Sequence, residues 1–315
     1  MIKRRLKMNN KNGMQDESRT FNGGDIWDQI GLREIKALKH KVLHERISKY
    51  QDINVVEAKD IRMYLNEQLQ FSSLDERIYH EALVHPAMAL SKKRKRVLIL
   101  GGGDGLALRE VLKYSDVKRV DLVDIDSEII KVAKSVRKIV KLNEGSFLDK
   151  RVKVHIQDAQ KYVSSNTRKY NVIIVDFPDP ANEILAKLYT KELFSHLYSF
   201  LADEGVLVCQ SNSPDDAPLV YWSIGQTIGS VGFDVMSYHT IVPSFGDWGF
   251  HIAAKEFRTK RMDKLSINVP YGTLPKDLSS LFQFKNYHLY GRNYAEVNTL
   301  DQLTLHRFYQ QEMDY

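Results

Sequence analysis

The clearest hydrophobic signal in the chain is Val97-Leu98-Ile99-Leu100, four consecutive apolar residues running into glycine. A short unbroken run of this kind is the pattern of a strand covered on both faces. Apolar periodicity then alternates between the two regular repeats. It predicts a helix over Leu106–Tyr114, a strand over Arg119–Val123, a helix over Ser127–Val140, a strand over Val152–Ile156, a short helix near Ala159 and a strand over Val172–Val175. A helix over Lys191–Leu201, a strand over Val206–Gln210, a helix over Leu219–Val231 and strands near Val235 and Phe250 complete the series. Strand and helix in turn indicate the α/β class: a doubly wound, Rossmann-like sheet, in which ligands sit beyond the carboxyl ends of the strands.

Upstream the rhythm changes. Short runs between His44 and Phe71, such as Ile53-Asn54-Val55-Val56 and Met63-Tyr64-Leu65, predict strands of a small N-terminal β-sheet. Asp75–Leu90 reads as a helix with Ile78, Ala82, Leu83 and Val84 broadly on one face. Residues 1–28, rich in Asn, Lys, Gly and Asp, read as a flexible arm. The expected organisation is therefore an arm over 1–28, a small β domain with a linking helix over 29–90, the Rossmann-like catalytic domain over 91–255 and an extension over 256–315. The aromatic-rich stretch Phe282–Tyr294 in that extension could cover a site or form a subunit contact.

Composition narrows the class. With 315 residues and 43% hydrophobic content, the chain can bury a large core beside a smaller one. No apolar run approaches the roughly 18–20 residues of a membrane span, and Met1-Ile2-Lys3-Arg4-Arg5 does not open a signal peptide, so a cytoplasmic location is expected. The single Cys209 excludes an intramolecular disulfide or a cysteine metal site, and a buried inert thiol is its natural reading. The net charge of +6 gathers in the first residues and in Lys92-Lys93-Arg94-Lys95-Arg96. Neither cluster is interleaved with aromatics, so both read as solvated surface rather than as a nucleic-acid site.

The chemistry begins with Gly101-Gly102-Gly103-Asp104-Gly105, directly after the first buried strand. A dinucleotide fingerprint would need glycine where Leu106 stands, and a P-loop would need a Gly-Lys-Ser/Thr ending that is absent, so phosphate binding is disfavoured. The next strand ends at Asp124, placed to accept hydrogen bonds from both hydroxyls of a ribose. Further strands end at Asp158 and at Asp176, the latter within Asp176-Phe177-Pro178-Asp179-Pro180. Each aspartate alone would be an ordinary cap or turn residue. Four in series at one sheet edge favour a cationic ligand with a nucleoside portion. Asp104 is the most discriminating, because its carboxylate would repel the methionine carboxylate of S-adenosylmethionine and tolerate a decarboxylated analogue.

Five strings together resemble the polyamine aminopropyltransferases, notably spermidine synthase. They are Tyr50-Gln51-Asp52-Ile53, Asp75-Glu76 with Tyr79-His80-Glu81, Leu100–Gly105, Asp124-Ile125-Asp126 and Asp176-x-x-Asp179-Pro180. The segments Leu65–Ser73 and Pro243–Phe250 look most like a prokaryotic branch often fused to a membrane domain, which is not found in these residues. The resemblance implies a methyltransferase-type fold and decarboxylated S-adenosylmethionine as cosubstrate, with no prosthetic group or metal. It also implies a small amine such as putrescine as acceptor, and a homodimer. By resemblance, Gln51, His80, Asp104, Asp124 and Asp158 with Ala159 would hold the cosubstrate beside the loop Gly101, Gly102 and Gly103, while Asp176 would act at the reacting amine. Gln70, Tyr79 and Asp179 would line the amine channel. The chain departs from the family at Asp124, commonly glutamate, at Ala159, commonly glycine, and at Phe245, where a tyrosine helps to seat the amine. A methyltransferase using intact S-adenosylmethionine and a non-catalytic polyamine- or nucleoside-binding protein are the alternative readings.

Overall fold

In the computed structural model of the chain, the described residues are 26–257, 259–260 and 262–313, so the expected arm lies almost wholly outside them. The first element is a helix that the polar start of the chain did not predict, α1 (Ile26–Ala37). Its Leu32 and Ile35 pack on Val56, Tyr64 and Leu69 of the small sheet, and the Asp28 carboxylate accepts the Leu69 N–H at 3.0 Å. That sheet is an antiparallel meander of β1 (Lys41–Ile47), β2 (Asp52–Glu57), β3 (Ile61–Leu65) and β4 (Gln68–Ser72). Its other face carries Ile53, Val55, Met63 and Phe71 into a shared core with the larger domain.

The helix α2 (Glu76–Leu90) leads into the main sheet. In chain order there follow β5 (Arg96–Gly101), α3 (Leu106–Leu112), β6 (Arg119–Asp124), α4 (Ser127–Ser135), α5 (Arg137–Leu142), β7 (Val152–Ile156), α6 (Ala159–Ser165) and β8 (Tyr170–Asp176). The one-turn α7 (Glu183–Ala186), α8 (Lys191–Phe200), β9 (Leu201–Gln210), α9 (Pro218–Gly229), β10 (Asp234–Val242), β11 (Gly246–Ala254) and α10 (Leu305–Met313) complete the elements. The seven strands lie in the order β10-β11-β9-β8-β5-β6-β7, parallel except where β11 joins β9 and β10 joins β11. From β5 the chain steps outward to β6 and β7, then returns to the other side of β5 for β8. The crevice at β5 and β8 is therefore the switch point of a doubly wound sheet.

Two-residue periodicity explains why these strands read as continuous apolar runs. Val97 and Ile99 enter the core beneath α2 and α3, while Leu98 and Leu100 enter the one beneath α6, α8 and α9. Two expected boundaries moved. The helix foreseen over Ser127–Val140 is broken at Val136, whose backbone is extended (φ −74°, ψ 105°), with no glycine or proline to mark the break. Strand β9 starts at Leu201, straight out of α8, rather than at Val206. Among the described residues no helix is long and apolar enough to cross a membrane. Cys209 is buried and unpaired, and the basic run Lys92–Arg96 is exposed apart from half-buried Arg94.

The extension is mostly short 3₁₀ turns followed by α10. Phe282–Tyr294 packs on the main domain rather than over the crevice: the Trp222 indole donates to the His288 carbonyl at 2.7 Å, and Phe282 lies 5.1 Å from the Tyr238 ring. Asn298 pins the following segment. Its fully buried amide donates to the Ala186 and Tyr189 carbonyls (2.9 and 3.1 Å) and accepts from the Thr304 N–H at 2.9 Å.

Helix α2 is buried almost all round and contains Pro86. Proline has no N–H to give residue i−4, which leaves the Ala82 carbonyl without its helical partner. The Tyr238 hydroxyl of β10 fills the gap, donating to that oxygen at 2.8 Å. Tyr238→Phe should therefore cost about 1–3 kcal/mol, the price of an unsatisfied buried carbonyl, with little change in shape. Urea denaturation of the variant beside the parent measures it, and a loss below about 0.5 kcal/mol would show that the carbonyl finds another partner.

Candidate active site

Beyond the carboxyl ends of β5, β6 and β8 lies a cavity of about 610 Å³. Every site residue expected from the sequence lines it. The wall formed by the sheet edge holds Gly101, Gly102, Gly103, Asp104, Asp124, Asp158 and Ala159. Asp176, at the end of β8 beside Gly101, belongs to the same edge, and Gln51, Gln70, Tyr79, His80, Asp179 and Phe245 complete the lining. The glycine loop is read more closely in three dimensions. Gly101 has φ +81°, and a Cβ there would stand 2.1 Å from the Asp176 carbonyl oxygen; a Cβ at Gly103 would stand 2.4 Å from an Asp124 carboxylate oxygen. The missing side chains thus admit the two strand-end aspartates as well as a ligand.

Burial governs the electrostatics of this wall. It pushes the Asp124 carboxyl up to about 7, against hydrogen bonds from the Asp126 and Gly103 N–H groups and with the Asp126 and Asp104 charges adding to the rise. Burial likewise lifts Asp176 to about 6, opposed by the charge of His80 and assisted by that of Asp104. Asp104 is raised too, chiefly by burial. The Tyr79 hydroxyl donates to Asp176 at 2.7 Å, and burial beside that carboxylate keeps the phenol protonated. His80 gives its Nδ1 side to Glu76, 2.6 Å from the carbonyl oxygen and 3.1 Å from the carboxylate.

Other expected residues have structural partners as well. Asp158 caps α6, accepting the Lys161 N–H at 2.9 Å. Gln51 donates to Asp126 at 2.9 Å, and Ser48 donates to the same carboxylate oxygen at 2.6 Å. At the Asp179 end it is Gln68, not Gln70, that donates to Asp179 (3.2 Å), and Gln210 donates there from the other side at 3.2 Å. Gln68 and Gln70 share a strand face, so periodicity alone could not rank them. Phe245 meets Tyr79 edge-on at 5.9 Å and lies 5.1 Å from Trp248. It keeps the aromatic wall and lacks a hydroxyl. Sequence reasoning missed Asp126, Gln68, Gln210 and Trp248; only Asp126 had a local signal, as a cap at the start of α4.

Fold and site together define the class, a Rossmann-like α/β protein with an acidic crevice at the switch point, suited to a cation rather than a phosphate. The chain belongs to the spermine/spermidine synthase family, whose domain matches residues 76–263, and it is an enzyme of the polyamine aminopropyltransferase type. It is 56% identical over 293 residues to polyamine aminopropyltransferase 2 of Bacillus cereus, covering 92% of this chain and 80% of that one. Identity to the polyamine aminopropyltransferase of Oceanobacillus iheyensis is 48% over 224 residues, 71% of this chain and 44% of that longer one. Among solved structures, a spermidine synthase in complex with the transition state analogue AdoDATO superposes with a TM-score of 0.73 at 27% identity, covering 81% of this chain and 89% of that one. The spermidine synthase of Thermotoga maritima gives 0.70 at 26%, with coverage of 81% and 88%.

The raised pKa of Asp124 makes a stability prediction. Between roughly pH 4 and 7 the folded chain holds a proton that the unfolded chain has released, so this group lowers stability as pH rises through that window. Asp124→Asn should be more stable than the parent at pH 8, by up to about 4 kcal/mol, and the two should converge toward pH 4. Urea denaturation at both pH values tests this; equal stability at pH 8 would contradict it.

Proposed function

We propose that this enzyme transfers the aminopropyl group of decarboxylated S-adenosylmethionine to an amine, putrescine in the first instance, yielding spermidine and methylthioadenosine. The observation that carries the donor is Asp104, half-buried in the cavity wall beside the glycine loop. A donor that kept its carboxylate would face this carboxylate at close range in a poorly hydrated site, whereas the decarboxylated donor presents an ammonium. Asp124 is the partner for the ribose hydroxyls, with Gln51, Asp158 and Ala159 around the nucleoside. Tyr79, Gln70, Asp179 and Phe245 surround the acceptor. The chemistry requires neither a metal nor a prosthetic group.

In the reaction a neutral amine nitrogen forms a bond to the propyl carbon next to the sulfonium. The carbon–sulfur bond breaks, and its electron pair goes to sulfur. Holding the nucleophile and the carbon in line supplies much of the acceleration. The acceptor must first lose a proton: an alkylammonium has a pKa of roughly 10, so its neutral form costs about 4 kcal/mol at pH 7. Asp176, ionised above about pH 6 and oriented by Tyr79, accepts that hydrogen and directs the lone pair. Asp179, flanked by Gln68 and Gln210, suits the distant ammonium of a diamine.

Mass spectrometry of the purified enzyme with decarboxylated S-adenosylmethionine and a panel of amines tests the reading. Methylthioadenosine with an amine heavier by one aminopropyl unit is the expected product, and Asp176→Asn should lower kcat/KM by roughly 10²–10⁴-fold. Methyl transfer from intact S-adenosylmethionine, or no product from any amine, would overturn it. The plot of log kcat/KM against pH should also steepen below about pH 6, where Asp176 takes up its proton, and Asp176→Asn should lose that steepening.

A further inference from the structure

Behind the cavity wall lies a group of charges that the proposed reaction does not use. Glu76, at the first turn of α2, is buried (3% exposed) and gripped from α3 by Arg109, also 3% exposed. The two guanidinium nitrogens of Arg109 donate to the two carboxylate oxygens of Glu76 at 2.8 and 2.9 Å. Arg109 is itself fixed by Glu110 at 2.7 Å and by the Leu142 carbonyl at 2.7 Å. A planar, doubly bonded pair of this kind holds geometry as well as charge. One turn along α2, His80 turns its Nδ1 to Glu76 and stands at the cavity. With Nδ1 committed, Nε2 is the ring nitrogen left for the cavity.

We infer that Glu76, locked by Arg109, is a positioning residue for the proposed transfer: it fixes the orientation of His80 and holds it as a cation facing Asp104 and Asp176. The groups around His80 come from α2, α3 and the ends of β5 and β8, and the carboxylates Glu76, Asp104 and Asp176 among them favour its charged form. Glu76 and Tyr79 come from α2 itself, Arg109 and Glu110 reach it through Glu76 from α3, and Asp104 and Asp176 face it from the ends of β5 and β8. Burial works against the imidazolium, but the hydrogen bond and charge of Glu76 outweigh it and raise the pKa of His80. The Glu76 carboxyl is held down to about 2, because His80 and Arg109 overrule its burial, so it is ionised near neutral pH. The positive ring then favours the ionised forms of Asp104 and Asp176. A carboxylate that must accept a hydrogen near neutral pH depends on that support.

The inference rests on the proposed aminopropyl transfer, and its test separates the two. Glu76→Gln keeps a hydrogen-bond acceptor for Nδ1 and removes the charge. In this variant the steepening of the log kcat/KM profile should move upward by roughly one pH unit, because Asp176 loses its cationic neighbour. Arg109→Lys, which keeps a cation on Glu76, should leave the midpoint of the profile near the parent's. The ¹⁵N signals of the His80 ring report the same linkage without turnover: the midpoint for His80 should lie above the ordinary value in the parent and fall in Glu76→Gln. A uniform loss of activity with an unmoved profile and unmoved His80 titration would reduce Glu76 to a packing role and overturn the inference. Absence of transfer in the parent, with the His80 shift intact, would instead strike the proposed function and leave the Glu76–His80 linkage standing.

Discussion

Placing three carboxylates against one poorly hydrated cavity is the constraint on which the rest of the structure depends. Asp104, Asp124 and Asp176 stand at the ends of neighbouring strands, and all three are shifted toward their neutral forms. Like charges in such a site destabilise one another unless something positive or a hydrogen-bond donor answers them. The chain supplies part of the answer through His80 and through the Tyr79 hydroxyl. A cationic substrate would supply the remainder, so the cost to folding is the same energy that favours binding. A sheet buried on both faces is what allows the fold to carry that cost.

Helix α2 distributes the load. Its string of polar residues looks like one motif in the sequence, yet each member has a different partner. Asp75 accepts the Ser244 N–H and hydroxyl at 2.7 and 2.9 Å. Glu76 takes Arg109, Tyr79 takes Asp176, and Glu81 accepts the Gly272 and Thr273 N–H groups with the Thr273 hydroxyl at 2.6 Å. His85 sits between Glu110 and the Tyr114 hydroxyl, each at 2.9 Å. Buried polar groups are tolerated when fully paired, and here the pairing ties α3, the main sheet, the β10–β11 hairpin and the extension to a single helix.

That hairpin is held from both sides. Asp75 fixes its tip at Ser244, while Asp247, paired with Ile241 just past the turn, lies 2.7 Å from His239 Nδ1 and 3.1 Å from His288 Nε2. The other nitrogen of His239 faces the Gln283 carbonyl at 2.9 Å, and Asp247 with that carbonyl raises the pKa of the ring against its burial. His288 Nδ1 accepts the Lys285 N–H at 3.2 Å, which puts its proton on Nε2, toward Asp247. His239, Asp247 and His288 thus stand in one cluster. Through it, residues of the extension brace the wall that carries Phe245 and Trp248 without lining the cavity themselves.

The sequence by itself determined the sheet and its working edge. Val97–Leu100 and Val172–Val175 are apolar at every position because both faces of a parallel strand are covered, and the aspartates after them mark the carboxyl ends by chain order alone. Such signals are local, so they survive being read one residue at a time. Tertiary structure decided what depends on distant partners: α1, whose packing on the small sheet outweighs a polar surround; the break at Val136; Gln68 rather than Gln70 at Asp179. It also decided the charge on His80, which comes from a carboxylate one helical turn away whose own state is set by Arg109, 33 residues further along the chain. Periodicity encodes which face of an element is buried; it cannot encode which buried charge meets which, because that is settled only when the elements pack.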